Sequence, residues 1–388
     1  SDPWRMKGRG SVRGSAAALS ERSEDIRHRP PERAEGFRCP ILISTDRFSE
    51  HHRDPGASDL WAAVVPTGMT TLYAALDDRL LVIDDGDWAA HERPVAESLE
   101  CVAASPERPQ RVFVGTVSDG LAYSPDGGGS WTTALATADR VTAVTVSPHD
   151  PDVIWAGTEP SRVYRSTDGG ETWTEKSGLT DLPSASRWSF PPRPHTHHVR
   201  WLAVDPGEPE RLYVAIEAGA FVRSEDGGET WIDHPEGARR DNHTLGTHPD
   251  APGRVYTAAG DGYAESTDGG ETWTTPQRGL DHRYVWGLAV GATPDDVVVS
   301  AASGARSAHS TNGESSVYRR SEDGWERAMA GLPGPEGLAR PVLSALDGRF
   351  YALTNHGVFT SADGTEWDSL GLAWDTEYRQ VPRGLAVV

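Results

Sequence analysis

The sequence predicts an all-β fold, a seven-bladed β-propeller, on three observations. A turn of the form S-x-D-G-G-x-T-W recurs along the chain, its base period is 42 residues, and each period holds short runs rich in β-branched and aromatic residues. Runs of this kind, separated by Gly, Pro, Asp and Ser, are typical of antiparallel strands. Four strands every ~40–45 residues indicate one propeller blade. A single blade cannot bury both of its faces, so the blades must stack around an axis.

The repeated turn is best preserved at residues 165–179 and 265–280, where RSTDGGETWTEKSGL returns as ESTDGGETWTTPQRGL. A closing tryptophan marks each unit. The seven tryptophans are Trp88, Trp131, Trp173, Trp231, Trp273, Trp325 and Trp367. Their spacings stay at 42 or 43 residues except for two, of 58 and 52 residues. The two long spacings therefore mark insertions into the fourth and sixth units.

The order of strands within a blade follows from the third unit. Three β-rich runs, at residues 141–146, 153–156 and 163–166, precede the turn, and a fourth run begins at the tryptophan. The turn therefore connects the third and fourth strands. The first unit has only three runs, and the chain ends in PRGLAVV, which matches the innermost-strand pattern VRWLAVDP at 199–206. We predict that a C-terminal strand at residues 384–388 completes blade one and closes the ring.

The aspartate of each turn is predicted to be structural. Its carboxylate accepts hydrogen bonds from nearby backbone N–H groups, the glycines supply positive φ, and the tryptophan buries its ring. Copies on seven blades do not converge on one point, so a catalytic role is not expected. The acidic residues also lack the alternation of a calcium loop. Replacing Asp168 or Trp173 is expected to weaken the blade without directly removing any chemistry.

The repeat resembles the Asp-box, or BNR, repeat of sialidases, sortilin-type receptors, xyloglucanases and photosystem II assembly factors. The resemblance covers residues 69–388 and extends to an uncharacterised glycosyl-hydrolase-like subgroup. It implies the propeller fold, but not one function, because the same repeat occurs in glycosidases, receptors and assembly factors. A sialidase is disfavoured, since the F/Y-R-I-P stretch that the resemblance implies is missing. A xyloglucanase would place its acids between two propellers, and the repeats account for one.

Composition narrows the partners. The chain carries a net charge of −21, and residues 69–388 hold 26 basic against 48 acidic residues. Phosphate backbones require a basic surface, so nucleic acid is not expected as a partner. No apolar run is long enough to span a membrane, and Cys39 and Cys101 are too few for a disulfide framework. We expect a cytoplasmic monomer. Residues 1–68 lie outside the repeat and show no sustained period, so they are expected to be a disordered or non-native leader.

Candidate functional residues collect at one end of the predicted propeller. Loops before the innermost strand and loops between the second and third strands open on the same face, opposite the Asp-box turns. Both insertions, DLPSASRWSFPPRPHTHHVRW and SAASGARSAHSTNGESSVY, fall on that face. Function in repeat folds is often carried by such loops. The central funnel is therefore the expected site.

Two chemistries fit the funnel, alone or together. Imidazoles from several blades with a carboxylate can bind a divalent transition metal, and arginines can hold an anionic substrate while His, Glu or Tyr move protons. The expected catalytic residues are His198, His243, Glu217 and Tyr284. The expected substrate-binding residues are Arg200, Arg283, Arg340, Arg383 and Trp286. The expected metal ligands are His197, His198, His243, His282 and His309.

The sequence therefore favours an enzyme, a hydrolase or lyase that acts on a small anionic or sugar-like molecule, with a divalent metal as a candidate cofactor. The alternative is a non-catalytic ligand-binding or protein-assembly module. Convergence of at least three of the predicted ligands on one point would support the metal-dependent chemistry.

Overall fold

The computed structural model describes residues 69–86, 88–95 and 98–388. These residues form seven antiparallel sheets of three or four strands, one for each repeat. Each sheet is a blade, and the innermost strand of one blade packs against the innermost strand of the next. The prediction of an all-β, seven-bladed propeller is confirmed. The leader predicted at residues 1–68 lies outside the described residues.

The strands are numbered along the chain. Blade one contains β1 (Thr71–Ala75), β2 (Leu80–Asp84), β3 (Ala90–Arg93) and the C-terminal β26 (Gly384–Val387). Blade two contains β4 (Leu99–Ser105), β5 (Arg108–Thr116), β6 (Leu121–Ser124) and β7 (Thr132–Leu135). Blade three contains β8 (Arg140–Val146), β9 (Ile154–Glu159), β10 (Val163–Ser166) and β11 (Thr174–Lys176).

The remaining blades follow the same order. Blade four contains β12 (Val199–Val204), β13 (Leu212–Ile216) and β14 (Ala220–Ser224), and blade five contains β15 (Asn242–Gly246), β16 (Val255–Ala259) and β17 (Gly262–Ser266). Blade six contains β18 (Tyr284–Val290), β19 (Val297–Ala302), β20 (Ser315–Ser321) and β21 (Gly324–Arg327). Blade seven contains β22 (Val342–Leu346), β23 (Arg349–Thr354), β24 (Gly357–Ser361) and β25 (Asp368–Ser369).

The C-terminal strand closes the ring, as predicted. β26 is the innermost strand of blade one and pairs with β1, which places Val387 opposite Leu72. The Thr71 N–H donates to the Val388 carbonyl at 2.8 Å, and the Val388 N–H donates back at 3.0 Å. The two ends of the described propeller are thus held in one sheet.

Blades four and five differ from the expected four strands. Their fourth strand is reduced to a single bridge, Arg223 with Ile232 in blade four and Glu265 with Thr274 in blade five. Pro235 and Pro276 follow these bridges within three residues. Proline has no N–H to donate to the ladder, so it ends the outer strand early.

The Asp-box turns have the structural role that the sequence predicted. In the turn of blade five, the Asp268 carboxylate accepts bonds from the Ser266 hydroxyl at 2.7 Å and from the Thr272 N–H at 2.9 Å. The Trp273 N–H donates to the Gly270 carbonyl at 3.1 Å, and its ring meets Phe221 of blade four edge-on at 4.8 Å. Gly270 has φ +85° and lies against the same Phe221 ring, so a side chain has no room there. The turn therefore joins neighbouring blades.

The two insertions add short helical segments rather than strands. The insertion of blade four contains 3₁₀ turns at Leu179–Asp181 and Ala185–Arg187, and that of blade six contains the helix α1 (Ala305–Ala308). None of the helices in the described part of the chain is long and apolar enough to cross a membrane.

Candidate active site in the central channel

A β-bulge near the start of the innermost strand selects the side chains of the site. In β12 the register passes from Val199 to Trp201, which leaves Arg200 without a paired residue. In β15 the same shift leaves His243 without a paired residue. In β18 the register shift lies between Val285 and Leu288, so Trp286 is also unpaired. Bulges change the direction of a side chain and are common beside active sites. Three neighbouring blades thereby contribute Arg200, His243 and Trp286 to one cluster.

Trp286 is the centre of this cluster. The Arg200 and Arg340 guanidinium carbons lie 4.7 and 3.9 Å from the centre of its ring, and the His243 ring stacks on it at 4.4 Å. The His309 ring meets it edge-on at 4.5 Å. Since Trp286 is only 5% exposed, it positions these four side chains rather than offering an open face to a ligand.

Glu217 is the buried carboxylate of the site. It follows β13, and its Oε2 atom accepts a bond from His198 Nε2 at 3.0 Å and lies 3.5 Å from Arg200 Nε. Burial by itself raises the pKa of Glu217, but the hydrogen bond and charge of His198, with the charge of Arg200, lower it to about 2. The carboxylate is therefore ionised at neutral pH.

One ring nitrogen of His243 is hydrogen-bonded, and the other has no hydrogen-bond partner among the described residues. Its Nδ1 atom lies 2.7 Å from the Val285 carbonyl of blade six, and a carbonyl only accepts, so Nδ1 carries the hydrogen. The Nε2 atom is buried, has no hydrogen-bond partner among the described residues, and lies 3.7 Å from Asp241 Oδ1. Donor atoms of Glu217, Asp241 and His243 all lie within 4.8 Å of one another. These three residues are the best placed to hold a metal.

Arg340, His309 and Tyr284 form the other side of the cluster. Arg340 Nε donates to His309 Nδ1 at 3.4 Å, so the hydrogen of the neutral imidazole is on Nε2, 3.4 Å from the Tyr284 hydroxyl. One edge of the His309 ring is exposed, but desolvation where the ring packs on Trp286, with the Arg340 charge, lowers the pKa of His309 to about 3. Burial, with the charges of Glu217 and Asp241, raises the pKa of Tyr284 well above its usual range. At neutral pH both groups are uncharged.

Several residues predicted for the site have other partners. Arg383 lies near Arg340 but pairs with Asp77, and Arg283 is exposed. His282 Nε2 lies 3.6 Å from Glu314 Oε1. His197 packs edge-on against Trp188, with ring centres 5.5 Å apart. Among the described residues, the five predicted histidines do not form a common set of donor atoms, and His243 is the only one of them in the set with Glu217 and Asp241.

The insertion of blade four is attached to blade three by an ion pair that the sequence did not predict. Arg193, in this insertion, binds the Glu159 carboxylate of blade three with two hydrogen bonds, of 2.6 and 2.5 Å. Its guanidinium also lies over the Phe190 ring, which meets His198 edge-on at 4.7 Å. The insertion therefore packs behind His198 and fixes the imidazole that holds Glu217.

Asp241 was not among the predicted ligands. One signal could have identified the cluster. In the innermost strands, Glu100, Arg200 and His243 are the second residue, and Thr142 and Trp286 are the third. The register skips each of these positions, with Gly287 skipped beside Trp286. One polar or aromatic residue at the same point of several repeats indicates the bulge.

Comparison with known proteins supports the fold. A family model described as the BNR/Asp-box repeat matches residues 164–175. An ancestral GH74 enzyme has a TM-score of 0.55 at 17% identity, over 77% of this chain and 40% of that one. GH74 of Niastella koreensis has a TM-score of 0.53 at 16% identity, over 78% and 54%. YCF48 bound to D1 peptide has a TM-score of 0.53 at 17% identity, over 80% and 90%.

These identities show the fold alone. The chain spans less than two-thirds of each GH74 chain, 40% and 54%, and no curated protein sequence matches it. The similar structures include enzymes and a propeller bound to a peptide, so they do not decide between catalysis and binding. The seven sheets, the repeated turns and these matches together identify the chain as a seven-bladed β-propeller with BNR/Asp-box repeats.

Proposed function

We propose that the channel cluster is the active site of a hydrolase or lyase that acts on a small anionic molecule, such as a carboxylate or an acidic sugar. One observation carries the proposal: Arg340 is a buried guanidinium, 3% exposed, that forms no ion pair with any carboxylate among the described residues. Its bonds go to two neutral acceptors, the Pro382 carbonyl at 2.8 Å and His309 Nδ1.

The surroundings of Arg340 destabilise its charged form. Burial, with the like charges of Arg200 and Arg383, lowers the pKa of Arg340 well below its usual range. A buried charge without a partner costs several kcal/mol. Glu217 Oε2 lies 3.5 Å from Arg200 Nε, whereas no carboxylate of the described residues forms an ion pair with Arg340, which Glu217 affects only through its charge. An anion held by Arg340 would supply the missing charge, and a guanidinium matches a carboxylate with two parallel bonds.

Proton-transfer groups face the same space. The bare Nε2 of His243 is a proton acceptor held in place by the Val285 carbonyl. The Tyr284 hydroxyl, next to the hydrogen-bearing Nε2 of His309, can donate a hydrogen bond to a developing negative charge. An acceptor, a donor and an anion-binding arginine around one ring support acid–base chemistry beside the negative group of the substrate.

A non-catalytic propeller is the second candidate, and it has one observation in its favour: YCF48 bound to D1 peptide covers 80% of this chain. A protein-binding function would use a broad surface. The unpaired arginine instead lies in the channel and is 3% exposed, which suits a small molecule better than a peptide.

The test is a thermal-shift screen of the protein with small mono- and dicarboxylates and uronic acids, followed by mass spectrometry of any stabilising compound after incubation. We expect at least one compound to raise Tm in the unmodified protein and in Arg278→Met, whose side chain is 73% exposed, but not in Arg340→Met. We expect the stabilising compound to change mass.

Two results would contradict the proposal in different ways. Stabilisation that survives in Arg340→Met would remove the anion site from this arginine. Binding that depends on Arg340 but leaves every compound chemically unchanged would favour the binding module over the enzyme.

A further inference from the structure

The channel carries a second group of side chains that could bind a ligand, two carboxylates and an imidazole. Glu217 follows β13 of blade four, Asp241 precedes β15 of blade five, and His243 occupies the bulge in β15. One donor atom from each lies within 4.8 Å of the other two. Two neighbouring blades thus bring two carboxylates and one imidazole to a single point.

Burial of His243 Nε2 without a hydrogen-bond partner is unfavourable for the free energy of folding. The ring is fully buried, its Nε2 atom has no hydrogen-bond partner among the described residues, and Asp241 Oδ1 lies 3.7 Å from it. Buried polar atoms are normally satisfied. A lone pair directed at carboxylate oxygens becomes favourable when a proton or a cation lies between them.

The surrounding contacts match those of a metal site. His243 donates its other nitrogen to a backbone carbonyl, Glu217 is held by His198, and the Ala218 N–H donates to Asp241 Oδ1 at 2.9 Å. Ligands of bound metals are held by outer contacts of this kind. The Asp241 side chain is 37% exposed, so the group is open on one side. Catalytic metal sites combine three protein ligands with one open position.

We propose that Glu217, Asp241 and His243 bind one divalent first-row transition-metal cation, such as Zn²⁺ or Mn²⁺. One imidazole and two carboxylates form a nitrogen–oxygen donor set that suits these ions. The ligand set differs from the histidine-rich one expected from the sequence. The inference rests on the proposed function only for the role of the cation, which would polarise the anionic substrate or activate a water beside it in place of His243 as a base.

Cation binding is tested directly, on protein without an affinity tag and first treated with a chelator. Isothermal titration with zinc chloride and, separately, with manganese chloride measures affinity and stoichiometry. We expect at least one cation to bind at one per chain and to raise Tm. Asp241→Asn removes one charged ligand at a partly exposed position, and His243→Ala removes the imidazole. Each is expected to weaken affinity by at least about tenfold, since even outer contacts contribute that much.

Asp241→Asn is the decisive variant if His243→Ala fails to fold, because the amide oxygen can still accept from the Ala218 N–H. The other place where a metal could bind is the histidine-rich sequence HTHH at residues 195–198. The matched control is therefore the double variant His195→Ala with His197→Ala, which should keep the wild-type affinity. No binding at one per chain, or affinity lost in the control and kept in Asp241→Asn, would overturn the proposal.

The two proposals fail separately. Anion-dependent stabilisation through Arg340 is measured with chelator present, and cation binding is measured without any anion ligand. Cation binding that depends on Asp241 supports the metal site even if no anion binds. Anion binding without cation binding supports the proposed function and removes the metal.

Discussion

Arg340 is not expected to raise the free energy of unfolding. Its charge has no carboxylate partner among the described residues, and its aliphatic length is close to that of methionine. Arg340→Met removes the buried charge but leaves the Pro382 carbonyl and His309 Nδ1 without their donor, which offsets part of the gain. We expect the ligand-free variant to be more stable by ~1 kcal/mol in chemical denaturation. Arg278→Met should change stability by less than ~0.5 kcal/mol. A marked loss in Arg340→Met would show that the guanidinium is compensated within the fold.

His309 makes stability depend on pH in a defined window. Its pKa is about 3 in the folded protein against 6.5 for the free group, so between these values the unfolded chain binds a proton that the folded protein does not. Stability contributed by the neutral imidazole is therefore present above about pH 6.5 and is lost as pH falls from there towards about 3. His309→Gln should flatten the fall in Tm over this window and leave the slope above it unchanged. His91→Gln, at an exposed position, is the control, and equal slopes in all three proteins would contradict the prediction.

At the scale of the elements, the bulges explain what the sequence could and could not predict about the site. Loop positions in the repeat placed Arg200, Glu217, His243 and Arg340 on the channel face, and the structure brings these four together. The same argument included His197 and His282, which turn to Trp188 and Glu314. A bulge changes which face the following side chains point to, because it adds one residue to the strand. The alternation of side chains along a regular strand does not predict where a bulge occurs. The pattern therefore locates the face but not the side chains that converge.

The Asp-box turns can be compared within the chain. Asp268 accepts four hydrogen bonds from Ser266, Glu271 and Thr272, whereas Asp323, in the shortened sixth turn, is 97% exposed and contacts only Arg278 among the described residues. We expect Asp268→Ala to lower the free energy of unfolding by ~1–2 kcal/mol and Asp323→Ala to change it by less than ~0.5 kcal/mol. Neither should alter anion or cation binding. Equal effects on stability, or a loss of binding in Asp268→Ala with unchanged stability, would contradict a structural role for the turn.

For the whole molecule, the period predicted the number of blades, the position of the turns and the closing strand, because each depends on a local pattern repeated seven times. The shortened outer strands of blades four and five were not predicted. Pro235 and Pro276 were visible in the sequence, but the effect of a proline depends on which N–H the ladder needs, and that is fixed only when the strands pair. The repeat therefore specifies the ring, and single residues specify its exceptions.

Ring closure through β26 can be tested by a covalent bond across the closing pair. Leu72 and Val387 are opposite each other in β1 and β26, and the flanking pair of Thr71 and Val388 exchanges both backbone bonds. Leu72 and Val387 are therefore a non-hydrogen-bonded pair, whose short spacing suits a disulfide. We predict that Leu72→Cys with Val387→Cys, in a background with Cys39 and Cys101 replaced by serine, forms the bond on oxidation. The closed loop spans almost the whole propeller, so the oxidised form should be more stable than the reduced form of the same variant by ~3–5 kcal/mol. Comparing the two forms by chemical denaturation cancels the cost of removing Leu72 from the core. Thiols that stay free under oxidising conditions, or a disulfide without a gain in stability, would show that β26 does not hold the ring closed.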